Sequence, residues 1–308
     1  MLERAGGSWD AGVMSRIQKL AFGSIVVGAV VLALKYAAYL LTGSLALWSD
    51  AVESVVNVLT AVVSFLAVRL SAKPPDAGHP YGHQKVEYFS AVFCGVLIII
   101  AAVTILHEAY QAFRIPAVPA LSWTGLAVNA LASAVNAGWA CLLIREGREQ
   151  KSPALAADGR HLLTDLVSSL GVLVGVGLAG TTGWPLLDPA LAVVVALHIL
   201  WAGWSVMRES LGGLMDEAVP PETLSRIREL IATNAEGAIE AHDLRTRHAG
   251  RMMFIDFHLV VASDMTVTQA HDICDRLERA IKHEYPDALI SVHVEPDDKA
   301  KHAGIVVL

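Results

Sequence analysis

The chain has 308 residues, 54% of them hydrophobic and only 17% charged, with a mean hydropathy of +0.50 and a net charge of −7. Globular chains carry about a quarter charged residues, so a wholly water-soluble fold is excluded. The acidic balance offers no basic surface for neutralising phosphates, which leaves no nucleic acid partner to expect. The three cysteines, Cys94, Cys141 and Cys274, lie far apart and can build neither a disulfide framework nor a thiolate zinc cluster.

Residues 1–16 begin with a polar stretch bearing Glu3, Arg4 and Asp10, without the apolar core or small-residue cleavage site of a signal peptide, and read as an N-terminal tail. A membrane-spanning helix needs about 20 mostly apolar residues. Six stretches qualify, at 17–41, 45–70, 87–113, 120–145, 157–180 and 187–207, which predicts an all-α six-helix transmembrane domain over 17–208. An even number of spans puts both ends on one side. Arg4, Arg16, Lys19, Arg69, Lys73, Lys85, Arg145, Arg148, Lys151, Arg160 and Arg208 all flank that side, against Arg114 alone on the other, so the N- and C-termini are expected in the cytoplasm.

Charge returns after Arg208. Pro220-Pro221 opens an amphipathic helix through Thr233. Residues 238–247 and 251–261 alternate as strands around an Ala249-Gly250 turn, a second helix over 267–284 follows Thr266, and a last strand runs 289–295. The order αββαβ predicts a small two-layer α+β domain over 209–298, with a charged C-terminal tail at 299–308.

Ionisable groups inside a bilayer are costly enough to mark function. In the second span Asp50, Glu53 and Asn57 stand at i, i+3 and i+7, and in the fifth Asp158, His161 and Asp165 repeat those intervals, so each trio lies on one helical face. Facing each other, Glu53, Asn57, His161 and Asp165 offer carboxylate, amide and imidazole donors suited to a divalent transition metal. Asp50 and Asp158 are nearby acids, equally readable as helix-end residues in the headgroup region. Lys35, Glu108 and Asp188 read as structural. His161 must be neutral to ligate, so metal arrival would displace protons and an antiport cycle is the expectation. Between spans two and three, Asp76, His79 and His83 form a compact DxxHxxxH set. In the soluble domain His242, His258, His271, His293 and Glu295 are spread over two strands, a helix and the last strand, with His293 and Glu295 on one face by period two. No nucleophile elbow, P-loop or HExxH is present, which argues against an enzyme.

These motifs, Gly43-Ser44-Leu45-Ala46 leading into Ser49-Asp50-Ala51, Asp76-x-x-His79-Pro-Tyr-Gly-His83-Gln-Lys85-x-Glu87, His161-Leu-Leu-Thr-Asp165 and Ala241-His242-Asp-Leu-Arg-Thr-Arg247, resemble the cation diffusion facilitators, in particular their bacterial zinc and ferrous-iron branch. The resemblance runs from about Ile17 to Pro296. It implies a homodimeric, proton-coupled exporter of divalent cations in the cell inner membrane, with a ferredoxin-like cytoplasmic domain. Its transport site would use Glu53, Asn57, His161 and Asp165, its loop site Asp76, His79 and His83, and its regulatory site His242, His258, His271, His293 and Glu295, with a charge interlock at the dimer seam mapping to Lys85 and Asp216. Zinc is the first expected cargo, with iron(II), manganese, cobalt or cadmium as others, and lipid and protons as the remaining partners. Three positions depart from that branch: Glu53 and Asn57 stand where an aspartate pair is usual, and Glu295 where an aspartate is. The alternative function is a membrane-anchored metal sensor that does not transport.

Overall fold

The computed structural model describes residues 15–42, 45–114, 123–182, 184, 186–301 and 304–306. Residues 1–14 of the expected N-terminal tail, Gly43-Ser44, the side chains of Asp50, Glu53 and Asp188, and the end of the expected C-terminal tail lie outside the described residues. The chain divides into two compact units between Arg208 and Glu209.

The first unit holds six long helices, α1 (Arg16–Thr42), α2 (Leu45–Ser71), α3 (Val86–Arg114), α4 (Trp123–Glu149), α5 (Pro153–Thr182) and α6 (Leu187–Leu214), the last running past the division. At 27 to 30 residues and 1.5 Å per residue, each is about 40 Å long, more than the roughly 30 Å of a hydrocarbon core. Among the described residues, stretches of α1, α2, α3 and α6 are long and apolar enough to cross a membrane.

Polarity in this unit is inverted relative to a soluble protein. Phe22, Leu40, Phe89, Tyr110, Trp201 and Trp204 stand exposed, while Asn57, Thr60, Asn136, Asp158, His161 and Asp165 are buried. Apolar side chains outside and polar ones inside suit a lipid surround. The helices close on small residues such as Ala21, Ala67, Ala140 and Ala154, which let backbones approach where no hydrophobic force drives helices together.

The ends facing the basic loops are tied by buried carboxylates. Glu87 at the start of α3 accepts hydrogen bonds from Ser71 of α2 and Ser152 before α5, and Glu146 of α4 accepts one from Arg16 of α1.

The second unit runs α7 (Pro221–Asn234), β1 (Glu240–Ala249), β2 (Met252–Val261), α8 (Val267–Glu284), β3 (Ala288–Pro296), a short 3₁₀ turn and β4 (Ile305–Val306). The expected αββαβ order is present. Sheet order is β3-β2-β1-β4, with β1 antiparallel to β2 and β2 parallel to β3. Gly250 and Arg251 alone join Ala249 to Met252, and Gly250 has φ +59°, the left-handed conformation a two-residue hairpin demands. Thr266 caps α8 in a capping box with Gln269. Ile273, Leu277 and Ile281 of α8 and Ile227 and Ile231 of α7 pack on Ile255, Phe257 and Leu259 of β2. That leaves Asp256 and His258 on the other face. β4 extends the sheet beside β1 within the stretch expected as a charged tail, because Ile305 can join the apolar core edge.

Phe257 is 1% exposed at the centre of this core. Truncating a buried phenylalanine costs about 3–5 kcal/mol, so Phe257→Ala is expected to speed hydrogen exchange of the β1 and β2 amides in the full chain by that amount, leaving amides of α1–α5 unchanged.

Candidate metal centres

In the membrane unit α2 and α5 bring Asn57 and Asp165 together: the Asn57 Nδ2 donates to an Asp165 carboxylate oxygen, with both residues buried. His161 stands one turn before Asp165 on the same helix and is 3% exposed. Neither of its ring nitrogens has a hydrogen-bond partner among the described residues, and Asn57 Oδ1 also lacks one. Native proteins pair nearly all buried polar atoms. Among the described residues, three donor or acceptor atoms of Asn57 and His161 are thus without a partner in the helix pair that carries the Asp165 carboxylate. Asp158, a further turn toward the start of α5, is 1% exposed, with its Oδ1 lacking a partner among the described residues, beside Ser24 of α1. It therefore sits within the helix packing and not at a solvated helix end. Glu53 shares α2 with Asn57.

The loop set is brought together. Asp76 Oδ1 lies 3.3 Å from His79 Nδ1, Asp76 Oδ2 lies 3.5 Å from His83 Nε2, and the two imidazoles are 4.3 Å apart between centroids. Backbone N–H groups of His79 and Gly78 donate to Asp76 Oδ1 at 2.7 and 2.9 Å. The His79 N–H above all holds the Asp76 carboxyl below the usual carboxylate range. Being ionised, it turns its first oxygen to His79 as well and its second to His83.

On the open face of the sheet, His242, His258 and His293 stand side by side at one register across β1, β2 and β3. Their rings step across at 5.3 and 4.9 Å. Glu295, two residues beyond His293 on the same face, reaches all three: 3.2 Å to His242 Nε2, 3.1 Å to His258 Nδ1 and 3.7 Å to His293 Nε2. His271 projects from α8, in the helical layer, with its Nε2 3.6 Å from Asp275 and exposed. Within one copy of the chain it does not join the sheet histidines.

Two residues of this centre escape sequence reasoning. Glu240 Oε1 lies 3.0 Å from His242 Nδ1. That contact orients the ring and turns Nε2 toward Glu295. Asp243 joins His242 and His258 in a set whose ligand atoms all lie within 4.8 Å. Strict alternation would send Asp243 to the opposite face from His242, but the β1 register shifts between His242 and Arg245, and Asp243 takes φ +52°. This bulge re-aims it. Nothing in a period-two pattern signals that; only the adjacency of two ligand-type residues does. Lys301 Nζ sits 2.6 Å from Asp243 Oδ2 and keeps that carboxyl below its ordinary range. Of the expected interlock pair, Asp216 has φ +60° and its Oδ1 accepts from Arg247 Nη1 at 3.2 Å within the second unit, while Lys85 precedes α3 in the first.

Comparison with known proteins gives a consistent picture. A model of the cation efflux transmembrane domain matches residues 21–215, and one of the cation efflux protein cytoplasmic domain matches residues 219–297. A Synechocystis protein named as an uncharacterized transporter, sll1263, is 39% identical over 278 residues, 90% of each chain. The cation-efflux pump FieF of Citrobacter koseri is 28% identical over 280 residues, 91% of this chain and 93% of the relative. A solved structure carrying the name zinc transporter CzrB, in a zinc form, is 46% identical over 28% of this chain and 98% of its own, at a TM-score of 0.27.

Proposed function

Because this chain belongs to the cation efflux family, the cation diffusion facilitators, we propose that it moves divalent transition-metal ions out of the cytoplasm in exchange for protons. Family membership makes it a membrane-spanning cation efflux transporter and not an enzyme. The finer reading rests on one observation: a buried amide–carboxylate pair, Asn57 with Asp165, beside a buried histidine whose nitrogens have no partner among the described residues. Those atoms are the ones an arriving ion would engage. In this reading Glu53 supplies a second carboxylate, and Asp50 and Asp158 lend negative potential along the route.

The cycle follows from the donor chemistry. An imidazole must shed its proton to ligate, so cation and proton exclude each other at His161. Facing the cytoplasm the site takes the metal; facing outward, protonation of His161 and its acidic neighbours releases it, and the protonated carrier returns. The name of one relative, a cation-efflux pump, supports a cation as cargo; zinc is the first proposed, and the nitrogen and oxygen donors also accommodate iron(II), cobalt, manganese or cadmium. Asp76, His79 and His83 form a cytoplasmic holding site. The cytoplasmic domain supports a homodimer in which His242, His258, His293 and Glu295 of one copy bind regulatory metal with His271 reaching in from the other, and Lys85 and Asp216 lock the seam. The inner membrane, with both termini in the cytoplasm, is the proposed location. Anchored sensing alone gives the buried α2–α5 donors no task.

The test is zinc uptake into proteoliposomes under an imposed pH gradient. Uptake should follow the gradient and stop when an ionophore collapses it. Uptake indifferent to the gradient would remove the antiport reading, and absence of uptake with any of the named ions would remove transport of metals.

A further inference from the structure

Lys301 and residues 304–306 come back to the sheet beside the strand that carries His242. β4 pairs with β1 at Glu240 and Ala241. Gly304 makes this approach possible: a Cβ there would lie 2.5 Å from the Ala241 carbonyl oxygen. Just before it, Lys301 makes two contacts with the metal-binding strand. Its backbone N–H donates to Glu240 Oε1 at 2.6 Å, and its ammonium sits 2.6 Å from Asp243 Oδ2. Glu240 is the residue that orients His242, and Asp243 is the carboxylate that the bulge turns toward His242 and His258. The centre thus already holds a cation, supplied by the chain itself.

We propose that Asp243 is a ligand of the cytoplasmic metal centre and that Lys301 is a tethered cation holding its place, so that a divalent ion binding His242, Asp243 and His258 expels the ammonium and loosens β4 from β1. The inference rests on the reading of these histidines as a metal centre. His242 is 5% exposed, and its Nε2 faces the Glu295 carboxylate at 3.2 Å, so an ion arriving there meets an imidazole nitrogen and a carboxylate together. The Lys301–Asp243 pair is exposed on both sides, at 52% and 36%, and exposed pairs of this kind hold weakly. A doubly charged ion with two imidazoles in reach outcompetes a single ammonium. The ammonium leaves charged for solvent, the carboxylate passes from one cation to another, and any proton on the ligating imidazole nitrogens is released to solvent as the ion binds. The segment that reports on metal is therefore the one carrying Lys301 and β4.

The experiment uses the full-length protein in detergent with His161→Ala and His79→Ala, which remove the membrane and loop sites from the titration. Zinc chloride is titrated against a chromophoric chelator, and hydrogen exchange is followed with and without zinc. Lys301→Met should tighten zinc binding by up to about fivefold, the size an exposed pair supports. Asp243→Asn should weaken it at least about tenfold, and in the Asp243→Asn background Lys301→Met should change nothing. Zinc should also speed exchange at Ile305 and Val306. Unchanged affinity in Lys301→Met, or unchanged exchange in β4 while His258→Ala still abolishes binding, would overturn the latch alone. Zinc binding that survives His258→Ala would overturn the metal centre itself and the latch with it.

Discussion

His161→Ala should cut the initial rate of zinc uptake into proteoliposomes by at least about 100-fold while leaving the protein as stable as before, or slightly more so. Loss of even an outer-shell partner costs about 10–100-fold in metal affinity, and His161 is assigned to the inner shell. The stability half of the expectation comes from its orphaned nitrogens. A buried polar atom without a partner costs about 1–3 kcal/mol, and both nitrogens of His161 lack one among the described residues. A side chain kept at such a cost serves something other than the fold, and replacing it by alanine removes the penalty. The paired measurements are uptake rate and melting temperature in the same detergent. A variant that melts lower and still transports would make His161 a packing residue, and the transport site would have to be sought elsewhere on α2 and α5.

Glu295→Ala should abolish zinc binding at the cytoplasmic centre, at least about 100-fold by chelator competition, and lower the stability of the cytoplasmic domain. Glu295 is the one carboxylate within 3.7 Å of all three strand histidines, and at 17% side-chain exposure it is largely withdrawn from water. Without it, the three imidazoles stand in a row at one register with no carboxylate that spans them, since Glu240 reaches His242 alone and Asp243 groups with His242 and His258. Glu295→Asp separates chemistry from length: it keeps the charge one methylene shorter, and binding within about tenfold of the original is expected. Equal losses for alanine and aspartate would mean that reach, not charge, decides the site.

Much of this architecture was legible because its signals are periodic. Spans of about 20 apolar residues, a 3.6-residue repeat on α7 and α8, and alternation on β2 each follow from one geometric rule, and the cap at Thr266 from one hydrogen bond. The matched intervals Asn57 to Glu53 and Asp165 to His161 were legible for the same reason, since a helix face fixes which residues are neighbours. The cytoplasmic centre was only partly so. That Glu295 meets His242 depends on β2 pairing with β1 on one side and β3 on the other, a long-range choice no local pattern encodes. Asp243 was hidden by a bulge, which breaks the alternation that sequence reading relies on. Lys301 was hidden by its setting: a lysine in a polar stretch looks like a solvated tail until β4 is seen to dock through Ile305 and Gly304.

The amide of Asn57 has a consequence for voltage. With neutral His161, ionised Glu53 and ionised Asp165, the proposed cavity carries two formal negative charges, and a divalent ion cancels them. A third acid in place of the amide would leave the filled cavity with a residual charge to drag across the bilayer, at about 2.3 kcal/mol per 100 mV. In this chain the amide donates to Asp165 in place of adding to its charge, so the laden half of the cycle would be electrically silent, and the membrane potential would act only on the returning, cargo-free carrier.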